Sequence, residues 1–209
     1  LFCDLPGAIL DVAIRGISAD QLVSAWSNEV AVLMEAVGWS SENVCSRIYD
    51  GGVSLVINAP IDVLYAACEL NEVAFGRAVA NLNGEPQAGL QDAIAKLHVL
   101  VAKERKPRLL AMQKAAAYHR VPFLWDDDEV SVGFGKTAMT WPADQLPDPE
   151  SIDWSGIAAV PLGIVTGTNG KSSTVDFLRQ IWSSAGLSAA SMGTLGAIGP
   201  SGSIDLGHT

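Results

Sequence analysis

The chain is poor in cysteine, in charge and in basic residues. Only three cysteines, Cys3, Cys45 and Cys68, occur in 209 residues, with no C-x-x-C pair among them. That excludes a disulfide-dense scaffold and reads as reduced thiols in a cytosolic, cytoplasmic protein. Charged residues make up 17% and apolar residues 49%, enough apolar mass for a packed core and too little charge for a disordered chain. Lysine and arginine number 13 against 23 aspartates and glutamates, a formal net charge of -10. A surface of that sign repels phosphate backbones, which argues against nucleic acid as a partner. No apolar run reaches membrane-spanning length, the best candidates being broken by Glu35 and Asp62. The opening "LFCDLPGAILDV" has neither the basic start nor the long apolar centre of a secretory signal. His98, His119 and His208 show no H-x-x-x-H spacing, so a zinc site is not expected.

What is present begins with periodicity. Ser18, followed by Gln21, has capping-box spacing, and Leu22, Trp26, Val30, Leu33 and Val37 then repeat as one helical face up to Gly38. "VSLVINAP" (53–60) reads as a short buried strand, and Pro60 opens a helix with Ile61, Leu64, Cys68, Phe75 and Val79 on one face. A third helix is expected from about 88 to 106, with Leu90, Ile94, Leu97 and Val101 inward, and a fourth from Pro107 to near His119. "VPFLW" and "EVSVGFGKTAMTW" read as two or three strands, the last pair joined through 133–136.

The texture changes near residue 140. Four of the ten prolines (Pro142, Pro147, Pro149, Pro161) fall close together, and no lysine or arginine lies between Lys136 and Lys171. This reads as an acidic, proline-rich linker over 141–160. The expected fold class is α/β: an N-terminal α+β region (1–140), the linker, then the start of a phosphate-loop parallel-sheet domain (161–209).

That last expectation rests on "PLGIVTGTNGKSST" (161–174). "PLGIV" is a continuous apolar run suited to a central parallel strand. "TGTNGK" has nothing to bury, so the chain leaves the core there. "KSSTVDFLRQIWSSAG" then shows Val175, Leu178, Ile181 and Trp182 at helical spacing, with Gly186 as its stop. A strand, a glycine turn and a helix with lysine in its first turn are the parts of a phosphate cradle. Gly167 and Gly170 allow a close backbone approach, and the amides of Asn169, Gly170, Lys171 and Ser172 with the helix N-terminus favour anions. Lys171 would meet the outer phosphates and Ser172 would offer its hydroxyl to Mg²⁺. The common pattern G-x-x-x-x-G-K-[ST] fails here, because Val165 stands where its first glycine belongs. The plain alternative is a glycine turn capping an ordinary surface helix.

The failed position matches a variant. "TGTNGKSS" resembles the Mur ligase family, whose loop is G-T-N-G-K-[ST], and "SMGTLGAIG" (191–199) with the terminal "HT" resembles its UDP-N-acetylmuramoyl-tripeptide synthetase branch. Folylpolyglutamate synthases share the loop but carry glycine after the lysine, where this chain has Ser172. The resemblance spans about fifty residues, 161–209. It implies an ATP-dependent ligase that joins an amino acid to a carboxylate through an acyl phosphate, with small-molecule substrates as partners. It further implies that Gly167, Thr168, Asn169, Gly170, Lys171, Ser172 and Ser173 hold the ATP phosphates, with Lys171 catalytic, Ser172 on Mg²⁺ and Thr209 on the nucleotide-sugar substrate. The domain it implies is a Mur-type central ATP-binding domain cut short, so the chain reads as a piece of a longer protein that does not turn over alone. "HRVPFLWDDDEVSVGFGKTAMTW" (119–141) is similar to a segment of cyanophycin synthetase, while the rest of the first 150 residues does not resemble the usual uridine-nucleotide domain. The product class implied is peptidoglycan-precursor-like or cyanophycin-like.

Two other readings stand beside the ligase: a nucleotide-binding module without ligation, and a small-molecule kinase, for which lysine, hydroxyl and Mg²⁺ serve equally. The remaining features read as surface. Seven of the thirteen basic residues lie between Lys96 and Arg120 on a solvated helical face. Glu69 and Glu72 read as surface carboxylates one turn apart, and "DDDE" (126–129) as a solvated turn.

Overall fold

A computed structural model describes residues 5–87, 89–194 and 196–204. The chain divides into two compact units, Leu1–Ala159 and Val160–Thr209.

The first unit is built on a three-stranded antiparallel sheet of order β1-β3-β2, from β1 (Gly7–Ala13), β2 (Val44–Tyr49) and β3 (Gly52–Asn58). β3 is central and buried along its whole length, which explains why its sequence is mostly apolar, with Ser54 hydrogen-bonded to Asp11 and Asn58 to the Leu5 carbonyl. The helices α1 (Ala19–Val37), α2 (Leu64–Asn83) and α3 (Leu90–Glu104) contribute the rest of this core. α1 buries the stripe expected of it, Leu22, Trp26, Val30, Leu33 and Val37, and stops at Gly38 in the left-handed region (φ 79°). Ser18 occupies the N-cap without a side-chain cap bond, so the expected capping box does not form. α2 buries a different stripe from the one expected. Ala66, Ala67, Leu70, Asn71, Ala74 and Ala78 face inward while Cys68 is exposed. Alanines let a neighbouring helix approach closely, so the contact face is set by small residues rather than by the largest ones. Asn71 joins the layers: it accepts from Trp26 Nε1 at 2.9 Å and donates to the Leu55 carbonyl at 3.0 Å.

A second core in the same unit packs α4 (Pro107–His119) on the antiparallel strands β4 (Phe123–Trp125), β5 (Glu129–Val132) and β6 (Met139–Pro142). Leu109, Met112, Val130 and Val132 are fully enclosed there. Leu146 and Ile157, from the stretch read as a linker, are buried in this core as well. Cys45, on the edge strand β2, is disulfide-bonded, which corrects the expectation of three reduced thiols. Sequence spacing does not report which cysteines meet in space.

The second unit contains α5 (Lys171–Ser184) and the antiparallel meander β7 (Ser191–Gly193), β8 (Gly196–Gly199) and β9 (Gly202–Ile204). The expected parallel sheet is not seen. Residues 161–165 form no strand, Ile164 is 85% exposed, and every strand pair among the described residues is antiparallel. A continuous apolar run becomes a central parallel strand only when paired on both edges and covered on both faces. None of the described residues pairs with 161–165. No described helix is long and apolar enough to cross a membrane.

Candidate functional site

The loop expected to hold phosphate lies in the second unit and ends where α5 begins. Gly170 is the N-cap of α5 at φ 79°, and Gly167 sits at φ 143°. Both are values that L side chains rarely adopt, which is the local reason for glycine at these two positions. A Cβ built on Gly170 would meet nothing within 4 Å, so backbone geometry rather than crowding selects it. The first intrahelical bond runs from the Thr174 N–H to the Gly170 carbonyl at 2.9 Å. The amides of Lys171, Ser172 and Ser173 precede it, and no side chain caps them.

Lys171 folds back on its own loop. Its ammonium donates to the Gly167 carbonyl at 2.5 Å and to the Thr168 carbonyl at 3.4 Å. Beside it a cavity of about 520 Å³ opens between the start of α5 and the β7–β8 turn, lined on one side by Lys171, Ser172 and Ser173 and on the other by Ser191 and Thr194. The Ser172 and Thr194 hydroxyl oxygens are 3.2 Å apart across it. Asp176, one turn further along α5, also lines the cavity. Its carboxylate accepts from Arg179 and Gln180, both at 2.7 Å, and these bonds hold its carboxyl below the usual range. Both of its oxygens are thus engaged within its own helix.

This donor set fits a polyphosphate with a divalent cation: one ammonium, a row of hydroxyls and three uncapped amides around a space of ligand size. The structure brings together Gly167, Thr168, Gly170, Lys171, Ser172 and Ser173, with Asn169 between the two glycines. Thr209 and His208 lie outside the described residues. Thr194 was not among the expected site residues. Its signal was its place in "GTLG" directly after β7, but only the loop side of the cavity is contiguous in sequence.

The other features singled out from the sequence stay apart from this site. Glu69 and Glu72 are exposed on α2. Asp126 accepts from the Asp128 and Glu129 amides at 3.0 and 2.8 Å, a turn that starts β5 and lowers its pKa. Lys106 lies 5.4 Å over the Trp125 ring, and His119 stacks on Trp154 at 4.8 Å. No group of three or more metal-ligating side chains occurs among the described residues.

No family model matches the chain. Curated relatives do. One stretch is 65% identical over 37 residues to the UDP-N-acetylmuramoyl-L-alanyl-D-glutamate--2,6-diaminopimelate ligase of Anaplasma marginale, covering 18% of this chain and 8% of that protein. The enzyme of the same name from Zymomonas mobilis is 50% identical over 48 residues, 23% of this chain and 10% of its own length. These relatives are Mur ligases. The enzyme of that name from Mesorhizobium japonicum is 34% identical over 113 residues, 54% of this chain and 16% of that protein. A match of that length exceeds the fifty residues of the second unit, so likeness to the Mur ligases reaches into the first unit. That corrects the expectation that it stops at residue 161. In these three matches the chain spans between 8% and 16% of the relatives' own length.

Proposed function

We propose that residues 161–209 carry the ATP-binding loop of a cytoplasmic, Mg²⁺-dependent ligase that forms an amide between a carboxylate substrate and an amino acid. One observation carries this reading: Lys171 and Ser172 open α5 behind two glycines at positive φ, on a cavity of about 520 Å³, in a chain whose relatives are Mur ligases. The substrates are small molecules of the peptidoglycan-precursor or cyanophycin kind, and the terminal Thr209 belongs to the nucleotide-sugar contact. ATP supplies a γ-phosphoryl group that makes the carboxylate an acyl phosphate with release of ADP; the incoming amine then attacks the acyl carbon, forming the amide as inorganic phosphate leaves.

What the chain's own residues contribute is positioning and charge. The uncapped amides of Lys171, Ser172 and Ser173 bind phosphate oxygens at a helix N-terminus. Gly167, Thr168, Asn169 and Gly170 keep the backbone close to them. Lys171 neutralises the outer phosphates, and the Ser172 hydroxyl is the protein ligand to Mg²⁺. In this reading 161–165 takes up its place as a parallel strand when paired, 1–140 forms the N-terminal domain, and 141–160 links the two while packing Leu146 and Ile157 into that domain's second core.

Lys171→Ala tests the assignment by titration of ATP in the presence of Mg²⁺. Loss of a charge-assisted contact of about 1.5–3 kcal/mol weakens binding roughly tenfold or more. Unchanged affinity would remove the loop from the nucleotide site. In a full-length protein that carries this loop, ADP release that requires both a carboxylate and an amino acid separates the ligase from a binding module. ADP release with a hydroxylated acceptor alone would point to a kinase.

A further inference from the structure

We propose that Thr194 is a positioning residue for Ser172, setting the direction of its hydroxyl proton so that its oxygen lone pairs are free for a divalent cation. The inference rests on the phosphate-loop reading of Ser172 and adds a residue from the opposite wall of the same cavity. A serine hydroxyl carries one hydrogen and two lone pairs, and its rotor settles toward the best acceptor nearby. A hydroxyl whose hydrogen points at the metal cannot ligate it. Thr194 Oγ1 lies 3.2 Å from Ser172 Oγ, and both residues line the cavity. With Thr194 accepting, the proton of Ser172 is held on the β7–β8 side of the cavity.

Within the helix the nearest carboxylate to Ser172 is already committed to neighbours of its own. Asp176, four residues after Ser172, has its two oxygens engaged by Arg179 and Gln180. Thr194 is also held locally: it follows β7, whose Gly193 pairs with Gly196 of β8 across a tight turn. That register places Thr194 directly after β7, on the cavity wall that faces Ser172.

The test uses the whole chain, with two variants and two conditions. Thr194→Val keeps the side-chain shape and removes the acceptor, while Thr194→Ser restores a hydroxyl. ATP affinity is measured with Mg²⁺ and with EDTA. One net hydrogen bond corresponds to a change of about three- to tenfold. The expected result is that loss for Thr194→Val with Mg²⁺, an unchanged affinity without it, and recovery in Thr194→Ser. Equal losses with and without Mg²⁺, no loss in Thr194→Val, or a loss in Thr194→Ser as large as in valine would each overturn the role. In all three cases ATP binding by the unaltered chain leaves the phosphate-loop reading standing. Failure of the unaltered chain to bind ATP removes that reading, and the role of Thr194 with it.

Discussion

The two units use apolar residues at helical spacing to opposite effect. In the first, α1 carries Trp26, Val30 and Leu33 to complete burial against β3 and α2. In the second, α5 carries Val175, Phe177, Leu178, Ile181 and Trp182, yet none of its residues is buried, and Phe177 and Ile181 are largely exposed. The periodicity is equally clear in both. The difference is whether the described residues supply a second layer for the stripe to pack on. An amphipathic pattern therefore states what a helix needs, and only the surrounding elements decide whether the need is met.

The largest test of this contrast pairs one residue from each unit. Trp26→Ala deletes a fully enclosed side chain and leaves the Asn71 carbonyl oxygen without its donor, an expected loss of about 3–5 kcal/mol. Leu178→Ala in α5 is expected to cost less than about 1 kcal/mol, because the side chain is only half-buried. Urea unfolding followed by hydrogen exchange reads both, with the β3 amides slow and those of α5 fast. Equal losses would show that α5 is packed as tightly as α1.

Two glycines sharpen the comparison by holding backbone conformation constant. Gly133 and Gly170 have φ of 78° and 79°. A Cβ on Gly133 would stand 2.4 Å from Ile157 Cγ2 and 3.0 Å from the Ala158 carbonyl oxygen, whereas one on Gly170 meets nothing. Gly170→Ala is expected to cost about 1 kcal/mol from conformation alone, and Gly133→Ala about 2–3 kcal/mol once the clash is added. Thermal denaturation of the two variants measures the gap, which vanishes if the second core has room to relax.

The smallest effect is electrostatic. Asp126 in the first unit is held low by the backbone amides of Glu129 and Asp128, and Asp176 in the second by the side chains of Arg179 and Gln180. Both folded-state pKa values are depressed. Their contribution to stability is present above the ordinary aspartate value and disappears as the pH falls through the lowered one. Arg179→Ala is expected to move the NMR titration midpoint of Asp176 up toward that of a free aspartate while leaving Asp126 unmoved. A midpoint that stays low in the variant would assign the depression to Gln180 instead.

Much of the first unit could be read from its sequence because its signals are local. Gly38 ends α1, Pro107 starts α4, and the mostly apolar sequence of β3 reports burial on both faces. What escaped was set by partners distant in sequence. β1 and β2 are edge strands with mixed patterns, and the alanine stripe of α2 gains its meaning only from α1. The site divides in the same way. The glycines, Lys171 and Ser172 are contiguous and legible, whereas Thr194 meets Ser172 across 22 positions of chain. The run 161–165 misled because its composition satisfies a strand whose neighbours are not among the described residues.

The bonds from Lys171 to its own loop have a thermodynamic consequence. The Gly167 and Thr168 carbonyls already use the ammonium that a phosphate would claim. In the phosphate-loop reading proposed above, an arriving anion would have to exchange for those carbonyls, which would pass to water. The affinity gained in that reading is the difference between the ammonium's contact with phosphate and its contact with two carbonyls, so the loop offers a partner exchange rather than a bare socket. Replacing Lys171 changes both sides of that exchange, so the measured loss of binding is smaller than the strength of the lysine–phosphate contact itself.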